Sequence, residues 1–140
     1  MDNVFIDTDI ILDFFFDRAP FAEFATQVLN NCEEKEINGF TTPVVISNVY
    51  YMLRKVGKHD IVIEKIKQLL TIIEITSMDK KVVLNALNSK FKDFEDALQN
   101  YSAVENGSID LILTRNIKDY RKSELAVMTP ETYLKSNASG

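Results

Sequence analysis

VFIDTDIILDFFF, residues 4–16, is the stretch whose reading decides the fold. Val4-Phe5-Ile6 reads as a short apolar strand, and Asp9 to Phe16 as the apolar helix that follows it. Asp7 and Asp9 then stand at the strand's carboxyl end. In open parallel sheets, ligands and chemistry sit just outside that end. A carboxylate there, followed by Thr8 and a second carboxylate, suits a hard divalent cation.

Working outward, short strands alternate with helices. After the first strand and helix, a helix is expected from Pro20 to about Glu36 and a strand over Gly39 to Thr41. A helix from Pro43 to about Val56 follows, with Val45, Val49, Met52, Leu53 and Val56 on its apolar face. The next helix runs from Asp60 to Leu70, with Val62, Ile66, Leu69 and Leu70 inward. Ile72 to Ile75 reads as a strand, Asp79 to Leu87 and Asp93 to Glu105 as helices, and Ile109 to Leu113 as an apolar strand. Ala126 to Met128 is the last strand before a helix starting at Pro130. This alternation predicts an α/β fold, a three-layer α/β/α arrangement around a central parallel sheet of four to five short strands. Residues 1–135 read as one domain and 136–140 as a disordered tail.

Composition narrows the function. With 140 residues, 46% of them hydrophobic, the chain can bury a sizeable core. A net charge of -5 argues against a broad basic surface, so any nucleic-acid contact is local. One cysteine rules out an internal disulfide and fits a reducing cytoplasm. That residue, Cys32, falls on the stripe Phe21, Phe24, Ala25, Val28, Leu29, which predicts plain packing. His59, the only histidine, excludes zinc sites built on paired imidazoles. The first residues carry no basic signal-like region, and Ile10 to Phe16 is too short and too interrupted by aspartates to span a bilayer.

Three further polar groups are candidates for the same site. Asp93, Asp96 and Asn100 are spaced to share a helix face, although Asp93 equally reads as an N-cap and Asp96 as a complement to the helix dipole. Thr114-Arg115-Asn116, with Asp119, follows a strand and reads either as a polar loop or as groups on the same sheet edge as Asp7. Asn48 flanks the apolar stripe of its helix, where a buried amide requires a partner, structural or catalytic.

Taken in order, VFIDTDIILDFF, TTPVVISNVYYMLRK, DFEDALQ, LILTRNIKDY and VMTPETYL resemble the PIN-domain family over most of the chain. These are metal-dependent ribonucleases that include the toxins of VapC-type toxin–antitoxin pairs. The resemblance implies a PIN-like fold and Mg²⁺ or Mn²⁺ between Asp7 and Asp96, with Asp119, Asn116 or Asp93 reached directly or through water. Thr8, Asp9 and Thr114 would support them. The metal would acidify water and neutralise charge on the phosphate during in-line attack. Two positions depart from the family pattern: a glutamate is usual where this chain has Asn48, and an aspartate is common where it has Asn116. Asp119 is a candidate to compensate the second. Arg54, Lys55, Lys58, Arg115, Lys118, Arg121 and Lys122 are candidate contacts to single-stranded or looped RNA, or a solvated surface. The implied partners are an RNA substrate, an antitoxin protein and a second copy of the chain, in the cytoplasm. Tyr50, Tyr51, Met52 and the surface near Phe14, Phe15 and Phe16 would meet them, or be core.

Two other readings stand beside this one. A degenerate PIN-like domain, lacking acids at Asn48 and Asn116, would only bind RNA or protein. A haloacid-dehalogenase-like phosphatase would use Asp7-Thr8-Asp9, although Ile10 and Ile11 follow where that family has Gly and Thr.

Overall fold

The computed structural model describes residues 1–138. β1 (Asn3–Ile6) leads into α1 (Thr8–Phe16) and α2 (Ala22–Glu33), and β2 (Asn38–Thr41) into α3 (Pro43–Arg54) and α4 (His59–Leu69). β3 (Ile73–Ile75) is followed by α5 (Lys80–Leu87) and α6 (Phe94–Asn106). β4 (Leu111–Leu113), a 3-10 helix over Ile117–Tyr120, β5 (Ala126–Met128) and α7 (Pro130–Ala138) close the chain. The five strands form one parallel sheet in the order β3-β2-β1-β4-β5, with helices on both faces.

The central strands β1 and β4 are mostly apolar on both faces because both are covered. Val4, Phe5, Ile6, Ile112 and Leu113 are fully buried, as parallel strands between helical layers should be. α2 lies so close to β2 that Gly39 is required: an added Cβ would sit 2.7 Å from Cys32 Sγ and 2.9 Å from Ile73 Cγ2. Cys32 is buried as its stripe predicted.

The strand order places the site. The chain proceeds from β1 outward to β3, then returns across β1 to pair β4 on its other side. Order therefore reverses between β1 and β4, and the crevice outside their carboxyl ends is where such sheets bind ligands. Asp7 follows β1 there, and Thr114 follows β4. Their backbones are tied in turn to neighbouring strands, with Asp7 N donating to Leu113 O at 3.1 Å and Thr114 N to Met128 O at 3.0 Å.

Several helix boundaries and faces differ from the sequence reading. Val56 is 74% exposed because α3 ends at Arg54, and Leu70 is 38% exposed because it follows the last turn of α4. Phe21 precedes α2, 39% exposed, with the Arg115 guanidinium 4.0 Å over its ring. Residues 136–138, expected to be irregular, continue α7, while 139 and 140 lie outside the described residues. The polar loop after β4 contains the 3-10 helix, which buries Tyr120.

Candidate active site

Asp7 is the N-cap of α1 and is buried, 7% exposed. Its Oδ1 accepts from Thr8 N at 2.9 Å and its Oδ2 from the Thr114 hydroxyl at 2.9 Å. Burial dominates these bonds and raises its pKa, with the nearby Asp119 charge adding to the shift. Two residues on, Asp9 Oδ2 accepts from Arg115 N at 3.1 Å and from Asn116 Nδ2 at 3.2 Å, while its buried Oδ1 has no partner among the described residues. Its pKa is pushed up to about 7, first by burial and then by Asp7. The Thr-Arg-Asn turn after β4 is thus a clamp. Thr114 holds Asp7, and Arg115 N and Asn116 hold Asp9. Asn116 N also donates to Thr114 Oγ1 at 3.0 Å, fixing the hydroxyl.

The third arm comes from α6. Asp93 is its N-cap, with Oδ1 accepting from Asp96 N at 3.0 Å. That satisfies the capping reading and still leaves its other oxygen at the rim. Asp96, half-buried, has its pKa pushed up to about 7 by burial and then by Asp93, Asp7, Asp119 and Glu95, in that order. Asp7 and Asp96, which stand 89 positions apart in sequence, are therefore electrostatic neighbours. Asn100, expected on the same face, is buried with its Oδ1 unpartnered.

α3 contributes Asn48, whose Nδ2 donates to Glu95 Oε1. Glu95 entered the sequence reading only as a letter of the motif DFEDALQ. Beneath the cluster lies Tyr120, 1% exposed, whose hydroxyl approaches Asp7 without completing a hydrogen bond. Burial, then Asp7 and Asp96, raise the pKa of that phenol. A tyrosine set among charged residues, between Asp119 and Arg121, carries no sequence signal of such a role.

Outside the acids opens a cavity of about 420 Å³ lined by Asp93, Asp96 and Asp119 with Lys90, Lys92, Lys118, Arg121 and Lys122. Lys118, Arg121 and Lys122 were anticipated as basic contacts; Lys90 and Lys92 were not. Other anticipated cations lie elsewhere. Arg115 turns inward, with Nε 2.7 Å and Nη2 3.1 Å from the carboxylate of Asp13, which is 1% exposed. Arg54 and Lys55 end α3, roughly 18 Å along the helix from its start at β2, and Lys58 lies beyond them.

The donor set is oxygen-rich and short of positive charge, the composition a hard divalent cation takes. The four ion pairs among the described residues engage Asp13, Glu105 and Glu131, and none engages Asp7, Asp9, Asp93, Glu95, Asp96 or Asp119. Among the described residues no three acidic, imidazole or thiol side chains already close round one point. The chemistry of the residues therefore fits a cation, while its coordination would require these side chains to turn inward together.

Comparison with known proteins supplies the lineage. A family model described as the PIN domain matches residues 3–118. The chain belongs to the PIN-domain family. Its PIN domain is 30% identical to Ribonuclease VapC1 of Aquifex aeolicus over 137 residues, covering 94% of this chain and 93% of that one. Among solved structures, a toxin–antitoxin complex from Klebsiella pneumoniae aligns with a TM-score of 0.69 at 21% identity, covering 91% of this chain and 97% of that one. VapBC2 from Rickettsia felis, bound to a DNA fragment from its promoter, aligns at 0.65 with 14% identity, covering 91% and 98%. These likenesses establish the PIN-like fold anticipated from the motifs. They also displace the phosphatase reading of Asp7-Thr8-Asp9, since the PIN-domain match spans those three residues. Among the described residues, no helix is long and apolar enough to cross a membrane.

Proposed function

We propose that this PIN domain is a metal-dependent endoribonuclease, the toxin of a toxin–antitoxin pair, acting in the cytoplasm on single-stranded or looped RNA. The reading is supported by the place of Asp7 at the switch point of the sheet, by the charges of Asp7 and Asp119 acting on Asp96, and by the lack, among the described residues, of a cation paired to any of the three. Acids that raise one another's pKa in a crevice mark a candidate functional site.

Asp7, Asp96 and Asp119 would hold Mg²⁺ or Mn²⁺, with Asp93 at the rim, and the ion would supply positive charge against a phosphodiester and acidify water there. The protein's own part is orientation. Thr114 and Thr8 N fix both oxygens of Asp7, so its carboxylate cannot rotate away from the crevice. Asn116 and Arg115 N fix Asp9 behind it, which makes both residues positioning groups. Lys90, Lys92, Lys118, Arg121 and Lys122 would draw the RNA backbone over the acids as a local basic rim on an acidic chain. An antitoxin and a second copy of the chain are the proposed protein partners; the similarity to VapC1 and the resemblance to toxin–antitoxin complexes support the first.

The test is cleavage of a structured RNA by the purified full chain with Mn²⁺ or EDTA, beside Asp7→Asn and Asp96→Asn. Cleavage that requires Mn²⁺ and is lost in both variants is expected. RNA bound but left intact under every divalent cation would replace this reading with the degenerate binder.

A further inference from the structure

We propose that Glu95 is a third carboxylate of the cation site and that Asn48 positions it, an inference that rests on the metal-dependent reading above. Neighbouring residues on a helix point about 100° apart, so Glu95 would ordinarily swing away from the direction of Asp96. Here it does not. Asn48, in the second turn of α3, donates its amide N–H to Glu95 Oε1 across 47 positions of sequence. The bond ties the first turn of α6 to the helix that begins at the carboxyl end of β2.

Three features give the pair a meaning beyond packing. Among the described residues Glu95 has no ion-pair partner, and the charges acting on it are those of Asp93 and Asp7. One carboxylate oxygen is taken by Asn48, which leaves Oε2 for a ligand. Beneath the same acids, Tyr120 buries a hydroxyl that faces Asp7 and has no hydrogen-bond partner among the described residues. Because the α3 side chain is a neutral amide, the cluster gains its negative charge from α6 instead. Asn48 acts through Glu95, holding one rotamer of a long side chain that would otherwise be free.

The experiment is Mn²⁺ titration of the full chain, with free ion counted by electron paramagnetic resonance, and thermal unfolding with and without the ion. Glu95→Gln keeps the acceptor for Asn48 and removes the charge; it is expected to weaken Mn²⁺ binding about tenfold or more, with unfolding in EDTA unchanged or slightly raised. Asn48→Ala is expected to weaken it several-fold, and Glu64→Gln, on exposed α4, not at all. Wild-type affinity in Glu95→Gln overturns the ligand assignment, and wild-type affinity in Asn48→Ala overturns the positioning role. If the unaltered chain itself fails to bind Mn²⁺, the metal-dependent reading falls together with this one, which separates the two failures.

Discussion

Replacing Asp7 with Asn should stabilise the metal-free protein at about pH 8 and end its response to Mn²⁺. The reasoning starts from Asp9, whose pKa is pushed from 3.8 to about 7, first by burial and second by Asp7. At about 1.36 kcal/mol per pH unit, that rise of about 3 units (7 less 3.8) means ionising Asp9 costs the fold at most about 4 kcal/mol. Burial owns the larger part, and Asp96 is too exposed for its own shift to be converted in full, so removing Asp7 should recover about 1–2 kcal/mol. The amide keeps the 2.9 Å bond from Thr8 N, and Thr114 can accept from the new N–H instead of donating. For a chain of this length the gain is roughly 3–8 °C in Tm. The sign with pH follows from linkage. A carboxyl whose folded pKa is raised holds its proton more tightly when folded, so its stabilising contribution is complete near pH 4 and lost as pH rises through about 7. Thermal unfolding in EDTA at about pH 8 and about pH 5.5 should therefore show the wild type gaining on acidification and Asp7→Asn gaining less. Millimolar Mn²⁺ should raise the wild-type Tm only. An Asp7→Asn protein several degrees less stable than wild type at the higher pH would refute the claim that this cluster is held against its own repulsion.

Other consequences are open to direct measurement. Asp13→Ala leaves the Arg115 guanidinium unpaired beneath Phe21, and should cost about 3–5 kcal/mol in urea unfolding; less than about 1 kcal/mol would mean that the buried pair is not what seats the turn after β4. Gly39→Ala should cost about 1–3 kcal/mol, because its Cβ meets Cys32 and Ile73 within 3 Å; a neutral result would show that α2 can move off the sheet. In a cleavage-defective Asp96→Asn background, Lys118→Gln with Lys122→Gln should lower single-stranded RNA affinity and flatten its salt dependence by about 0.7 per lost contact. The same double change made at Arg54 and Lys55 should leave that slope alone.

Much of the molecule can be read along the chain. The apolar run at Val4 to Ile6 followed by Asp7, and the strand and aspartate at Leu111 to Asp119, fix where polar groups leave the sheet. Period and capping residues are local properties, so strands, helices, Asp93 as a cap and Cys32 as core were all legible. The neutrality of Asn48 was legible too, although what it touches was not.

What the chain alone could not decide is pairing across distance. Arg115 looks, in sequence, like one more cation of a basic stretch; it points inward because Asp13, 102 positions away, is buried within reach of it. Asn48 and Glu95 meet, 47 positions apart, only because a sheet whose order is not the order of synthesis brings α3 and the start of α6 together. Tyr120 becomes part of the acidic site through a short 3-10 turn whose sequence resembles any polar loop. Local chemistry dictates which way each segment bends and which side it hides. Strand order and register, set by burying all those apolar faces at once, dictate which charges end up facing each other.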